Sequence, residues 1–299
     1  MNDKKIIDGK KIAEELRKKI KLFGEEFKKK TNIIPGLAVV LIGENPASKV
    51  YVRNKIKQTK EVGFKSLEFK FDVNVSEKEI LDLIQKLNND DTVNGILVQL
   101  PLPDHINADK VLDSINPKKD VDGFHAKNVG KLWTGIDTLV PCTPLGCSLI
   151  INNLLGDLAG LNAVIIGRSN IVGKPMASLL LQANATVTIV HSKTKNIGEI
   201  CKKADLIVAA VGVPRMVKGS WIKKDAIVID VGINRIEVDG KNKLVGDVDF
   251  DEAIKFASYI TPVPGGIGPM TIACLLLNTL NASNQQNNLP GVNLSSLFD

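Results

Sequence analysis

The stretch Ala163-Val-Ile-Ile-Gly-Arg-Ser-Asn-Ile-Val-Gly-Lys-Pro-Met176 constrains this chain more than any other. An apolar, β-branched run ends at Gly167. A polar turn punctuated by Gly167 and Gly173 follows, and Pro175 opens an apolar helical segment. That order predicts strand, tight turn, helix N-terminus. It is how a parallel α/β sheet turns backbone N–H groups and a helix dipole toward a phosphate. The glycines do not follow G-x-G-x-x-G, and a lone Gly-rich turn also serves as a plain corner.

The next strand, Thr186-Val-Thr-Ile-Val190, runs into His191-Ser-Lys-Thr-Lys195. A site selective for NAD places Asp or Glu there to hold the ribose 2′-hydroxyl. Here the position is hydroxyl-bearing and basic, and with Arg168 it suits a 2′-phosphate. A solvated basic loop is the competing reading. The pattern favours NADP over NAD.

A chain of 299 residues, 44% of them hydrophobic, is long enough for two domains with sizeable cores. No apolar run reaches the roughly 20 residues that span a bilayer. The start, Met1-Asn-Asp-Lys-Lys-Ile-Ile-Asp8, has no signal-peptide core, which predicts a cytoplasmic protein without a membrane partner. Cys142, Cys147, Cys201 and Cys274 lack C-x-x-C spacing, and His105, His125 and His191 form no H-x-x-x-H pair. Buried thiols are expected rather than a zinc site or a disulfide framework. The net charge is +6, but lysines are scattered and aromatics make up only 4%, which argues against a nucleic-acid groove. A modest positive field suits small anionic substrates and phosphorylated cofactors.

Helix and strand signals alternate along the chain. Residues 9–30 read as an amphipathic helix, with Ile12, Leu16, Ile20 and Phe23 at helical spacing. Strands are expected at 36–42, 66–71 and 95–100, the last stopped by Pro101 and Pro103. Ser48 is the expected N-cap of a helix that closes at Gly63, and Ser76-Glu-Lys-Glu79 resembles a capping box. Val140-Pro-Cys-Thr-Pro-Leu-Gly146 reads as a domain boundary before a helix over 148–155. Further strands are expected at 163–166, 186–190, 205–210 and 226–231, then a hairpin within 233–250 and a helix over 272–280. This alternation predicts α/β architecture with parallel sheets in two domains, the second Rossmann-like. The expected division is 1–140 with a returning helix at 268–285, 141–267 for the dinucleotide, and a mobile tail at 286–299.

Several residues in the first half carry candidate chemistry. Tyr51 and Lys55 stand at i, i+4 on one helix face, a pair that also occurs as ordinary surface neighbours. Gln99 ends a buried run, where a side-chain amide needs a partner or a cavity. Asp120 and Asp122 in Lys119-Asp-Val-Asp-Gly123 read as a carboxylate pair or as turn formers; with no third ligand nearby, no metal is assigned. The Pro/Gly-crowded loop 261–271 lets a flat ligand come close to backbone, or is a rigid connector.

Six segments now stand in order: Tyr51-Val-Arg-Asn-Lys55, Gly95-Ile-Leu-Val-Gln-Leu-Pro-Leu-Pro103, Lys119-Asp-Val-Asp-Gly123, Pro141-Cys-Thr-Pro144, Gly167-Arg-Ser-Asn-Ile-Val-Gly-Lys-Pro175 and Pro262-Val-Pro-Gly-Gly-Ile-Gly-Pro-Met-Thr271. Together they closely resemble the bifunctional methylenetetrahydrofolate dehydrogenase/cyclohydrolase family of the FolD type, over about residues 5–281.

The resemblance implies a homodimer of two-domain chains, with folate in a cleft between the domains and the final helix returning to the first. It implies oxidation of 5,10-methylenetetrahydrofolate by NADP+ and hydrolysis of the methenyl product to 10-formyltetrahydrofolate, feeding tetrahydrofolate interconversion and purine synthesis. Lys55 would handle the proton of the attacking water, Gln99 would orient the amine, Tyr51 would stack on the folate, and Asp122 would accept hydrogen bonds from the pterin. Val98, Leu100, Pro264 and Gly265 would line the folate; Thr143, Gly167, Arg168, Ser169, Ser192 and Ile233 would line NADP. Two rival readings stand beside this one: a two-domain NAD(P)-dependent dehydrogenase of another small substrate, such as an amino acid, and a silent ligand-binding module.

Overall fold

The computed structural model describes residues 3–238 and 240–297. Its main elements are α1 (Gly9–Thr31), β1 (Gly36–Ile42), α2 (Pro46–Glu61), β2 (Lys65–Phe71), α3 (Glu77–Asn88), β3 (Gly95–Val98), α4 (Ala108–Asp113), α5 (Ala126–Trp133) and α6 (Cys142–Leu155). They continue with β4 (Asn162–Ile166), α7 (Gly173–Gln182), β5 (Thr186–Val190), α8 (Ile197–Cys201), β6 (Leu206–Ala209), β7 (Ile227–Asp230), β8 (Asn234–Val238), β9 (Lys241–Val245), α9 (Phe250–Ala253), β10 (Tyr259–Ile260) and α10 (Ile267–Gln286). The chain forms two compact units. One comprises the residues up to Ala13 and Thr143–Thr271; the other comprises Glu14–Cys142 and the residues from Ile272 on.

The second of these holds a parallel three-stranded sheet in the order β2-β1-β3. The central strand, Gly-Leu-Ala-Val-Val-Leu-Ile, is buried at every position, as a strand covered on both faces must be. Val40, Ile80, Ile84, Ile96, Val98 and Val111 are part of the core formed with the flanking helices. Helix α3 starts with the full capping box: the Ser76 hydroxyl accepts from Glu79 N–H, and the Glu79 carboxylate accepts from Ser76 N–H.

The other unit holds a parallel five-stranded sheet in the order β10-β7-β6-β4-β5. From β4 the chain winds outward to β5, then crosses back so that β6 lies on the other side of β4. The point where strand order reverses therefore lies between β4 and β6, at whose carboxyl ends a doubly wound sheet opens a crevice. The expected hairpin is β8–β9, antiparallel. Val164, Ile166, Ile207, Ala209, Val228 and Ile260 belong to this core.

Three expected helix starts need correction. Helix α2 is capped by Asn45, whose side chain accepts from Ala47 N–H and Ser48 N–H, while Pro46 takes the first helical position, where a missing N–H is harmless. Ser48 is thus inside the helix. Helix α6 begins at Cys142, not at 148, and α10 spans Ile267–Gln286, beyond both ends of the run 272–280. Pro144 and Pro269 fall in first turns, where proline is tolerated.

The described residues up to Ala13 group with the five-stranded unit rather than with the first domain. Ile7 N–H donates to the Ile260 carbonyl at 2.9 Å, Lys5 Nζ to Ala257 O at 2.9 Å, and Lys10 N–H to Gly265 O at 3.0 Å. The described part of the tail is tied down, with Val292 N–H on Asn281 Oδ1 at 2.8 Å and Leu297 buried. Residues 298 and 299, also in the expected mobile tail, lie outside the described residues.

Candidate active site

In the three-stranded unit, α2 presents Tyr51 and Lys55 one turn apart. Lys55 is buried, and its Nζ donates to Gln99 Oε1 at 3.0 Å. The other half of the Gln99 amide is also satisfied, with Nε2 donating to Leu100 O at 2.7 Å. Gln99 lies one residue beyond β3, its N–H still donating to the Val40 carbonyl at 2.9 Å. The strand's last residue, Val98, is buried, and Leu100 precedes a cis bond to Pro101. The Gln99 amide therefore holds the ammonium with one end and its own loop with the other. Burial raises the Tyr51 phenol above its ordinary pKa.

Asp120 and Asp122 have separate duties. Asp120 Oδ2 accepts from His125 N–H at 2.9 Å and Asn128 Nδ2 at 2.8 Å, and the residue is almost wholly buried. It braces its own loop, which is the turn-former alternative. Asp122 has fewer partners: the Cys142 thiol, 3.8 Å from its Oδ1, is a weak donor. Burial raises its carboxyl above the usual range; the Lys55 charge opposes that shift, Asp120 adds to it, and the Cys142 contact opposes it. A desolvated carboxyl near Lys55 and short of donors can accept them from a ligand. Gly123 turns the loop at φ +72°, where a side chain would run into the Pro141 nitrogen.

The roles of two residues here escaped the sequence reading. Asn278 on α10 donates from Nδ2 to Val121 O and Val140 O, both at 2.8 Å, and so anchors the residue beside Asp122. Cys142 donates to Val121 O at 3.2 Å. Neither had a local signal; their partners lie far away in sequence.

In the five-stranded unit, the candidates cluster at the carboxyl ends of strands. Gly167 ends β4 at φ +124°, and a Cβ on it would collide with the Ala210 carbonyl. A Cβ on Gly173 would collide with the Gly167 carbonyl. Helix α7 begins with no side-chain cap and no acidic residue in its first turn, so its positive end is unneutralised. The Ser169 hydroxyl accepts from Val172 N–H at 3.2 Å. Arg168 and Ser192 are exposed. The loop after β5 is pinned by His191 N–H on Thr194 Oγ1 at 3.0 Å and by Lys193 N–H on His191 Nδ1 at 3.2 Å. Ile233, after β7, is exposed. These residues fit a dinucleotide diphosphate: a cradle only glycine permits, a helix start with no acidic residue in its first turn, and cationic side chains beyond the next strand.

Thr143 Oγ1 lies 3.0 Å from Thr271 Oγ1 in the same unit. Pro264 follows a cis bond, and Gly265, at φ +107°, accepts from Lys10 N–H; both lie in the loop after β10. Lys55, Gln99 and Asp122 thus gather within the three-stranded unit, with Tyr51 a turn away. Gly167, Arg168, Ser169, Ser192 and Ile233 follow the strand ends of the other.

Residues 7–122 match the family model described as tetrahydrofolate dehydrogenase/cyclohydrolase, catalytic domain, and residues 141–287 the one described as its NAD(P)-binding domain. A Zymomonas mobilis protein named bifunctional protein FolD is 56% identical over 290 residues, spanning 95% of this chain and 98% of its own. The crystal structure of bifunctional FolD methylenetetrahydrofolate dehydrogenase/cyclohydrolase from Campylobacter jejuni is similar at a TM-score of 0.90 and 50% identity, over 93% of this chain and 98% of that one. The Trypanosoma brucei enzyme, complexed with NADP cofactor and inhibitor, is similar at 0.90 and 37% identity, over 94% and 98%.

Proposed function

The chain belongs to the tetrahydrofolate dehydrogenase/cyclohydrolase family, and from that premise we infer that it performs two consecutive reactions on one folate. It oxidises 5,10-methylenetetrahydrofolate to the 5,10-methenyl cation with NADP+, then hydrolyses that cation to 10-formyltetrahydrofolate. Both halves of the chain match this family, which sets aside a dehydrogenase acting on an amino acid.

NADP, when bound, supplies the hydride acceptor. The methylene carbon lies between two nitrogens whose lone pairs stabilise the developing cation, so oxidation asks the protein for alignment rather than for a strong base. Tyr51 stacks on the folate and meets the cation with its π face. Asp122 accepts from the 2-amino and ring N–H groups of the pterin, supplying the donors its desolvated carboxyl lacks. Val98, Leu100, Pro264 and Gly265 line the folate. In hydrolysis Lys55 works in its neutral form: water oxygen bonds to the methenyl carbon and its proton passes to the Lys55 amine, which Gln99 orients. The carbon–N5 bond then opens: N5 takes up the proton from Lys55, and the second proton of the water leaves as its oxygen becomes the formyl carbonyl on N10.

Gly167 and Ser169 with the start of α7 hold the diphosphate. Arg168 and Ser192 meet the 2′-phosphate, and Thr143 and Ile233 complete the lining. In this reading the enzyme is a cytoplasmic homodimer. Among the described residues no helix is long and apolar enough to cross a membrane.

The observation that carries the reading is the Lys55–Gln99 hydrogen bond with the desolvated Asp122 in the field of Lys55. An absorbance assay with methylenetetrahydrofolate and either NADP+ or NAD+, following reduced nucleotide and methenyl species together, tests it. The expected record is reduction with NADP+ and a methenyl signal that decays. Absence of reduction with either nucleotide refutes the dehydrogenase, and a methenyl signal decaying no faster than without enzyme refutes the cyclohydrolase.

A further inference from the structure

Two carboxylates lie buried under the turns at the carboxyl edge of the five-stranded sheet, and the reaction as described uses neither. Asp247 follows the β8–β9 hairpin and has no solvent exposure. Its Oδ2 accepts from Val211 N–H at 2.6 Å and Gly212 N–H at 2.9 Å, the turn that leaves β6. Its Oδ1 accepts from Asn234 Nδ2 at 2.8 Å, one residue past Ile233. Asp230, ending β7, accepts from Gly232 N–H and Asp247 N–H, both at 3.0 Å, and from Val248 N–H at 2.9 Å. The pieces interlock without slack: a Cβ on Gly232 would strike the Asp247 carboxyl, and one on Gly246 the Asp230 carboxyl.

This bracket reaches the phosphate turn through one peptide. In a trans peptide the N–H and the preceding C=O point in opposite directions. With Val211 N–H fixed on Asp247, the Ala210 carbonyl is turned the other way, and it is this carbonyl that leaves Gly167 no room for a side chain. Asp247 therefore sets the gap between the β4 and β6 turns, the two walls of the crevice where strand order reverses. Through Asn234 it also fixes the start of β8, next to Ile233.

We propose that Asp247 is a positioning residue for the dinucleotide: its carboxylate holds the turns after β6 and β7 at the spacing the cofactor requires, without touching the cofactor. The proposal rests on the reading of this unit as the NADP site. A change there should act on nucleotide affinity far more than on hydrolysis of preformed methenyltetrahydrofolate, which needs no nucleotide.

The test uses the full-length protein and three forms: wild type, Asp247→Asn and Asn234→Ala. Asp247→Asn faces an amide NH2 toward N–H donors; Asn234→Ala removes one bond and leaves the carboxylate in place, which keeps the test open if the first variant folds poorly. NADP+ affinity is read by calorimetric titration, and KM for methenyltetrahydrofolate by the hydrolysis assay. The dissociation constant for NADP+ should rise at least tenfold in Asp247→Asn and severalfold in Asn234→Ala, while that KM changes by less than threefold. Wild-type NADP+ affinity in folded variants overturns the proposal. A parallel loss of both quantities also overturns it, since that is general damage. Failure of the wild type itself to bind NADP+ instead refutes the functional reading.

Discussion

Lys55 and Asp122 sit in one electrostatic neighbourhood, yet they serve different steps, and substitutions should separate them. Water attack needs a proton acceptor, whereas oxidation needs alignment. Lys55→Met should lower hydrolysis of methenyltetrahydrofolate by at least about 100-fold, the scale of a lost general base, and oxidation by less, so that the methenyl species accumulates in the coupled assay. Hydrolysis at the wild-type rate would remove Lys55 from this role. Asp122 must be ionised to accept two donors, and burial raises its pKa. Folate affinity should therefore weaken on acidification well before an ordinary carboxylate would titrate, seen as a KM for folate that climbs as pH falls. A flat KM down to about pH 4, the ordinary aspartate range, would show that the pterin does not need this carboxylate. Arg168→Ala should weaken NADP+ by roughly 1.5–3 kcal/mol, as expected for a charge-assisted bond, and leave NAD+ almost untouched. Equal losses for the two nucleotides would place Arg168 elsewhere than on the 2′-phosphate.

Elements are where local sequence spoke most clearly, and where a rival cap misled. The continuous apolar run of β1 and the capping box of α3 each follow from a few neighbouring residues. Asn45 was visible too, as an Asn-Pro pair, but Ser48 offered a rival cap three residues on. The consequence is measurable: Asn45→Ala removes the acceptor of two N–H groups at the start of the helix that carries Tyr51 and Lys55. It should cost about 1 kcal/mol, or roughly 2–4 °C in melting temperature, whereas Ser48→Ala should leave the cap intact. A larger loss for Ser48→Ala than for Asn45→Ala would reverse the capping assignment. Within the site, spacing and strand ends marked Tyr51, Lys55, Gln99 and Asp122. Asn278, Cys142 and Asp247 left no local mark, because each acts on backbone more than 20 residues away. Such bonds become readable only once the chain is folded.

Across the whole molecule, two features go beyond the elements. The first is a buried acid used as structure: burial, with Asp247 adjacent, pushes Asp230 up to about 7. Between the ordinary value near 4 and this raised one, the folded chain holds a proton that the unfolded chain has lost. Its contribution is complete below about pH 4 and disappears as pH rises through about 7. The melting-temperature advantage of wild type over Asp230→Asn should shrink from pH 5 to pH 8, and a constant difference would show that Asp230 keeps its charge when folded. The second is the order of the chain. Lys5 bonds to Ala257, 252 residues on, and Ile7 to Ile260, while the three-stranded unit resumes only at Ile272. During synthesis Lys5 and Ile7 wait for partners more than 250 residues on, and neither unit is complete before Thr271 has been made. A chain that stops before Thr271 therefore carries two unfinished cores, so that one failure of elongation spoils both halves at once.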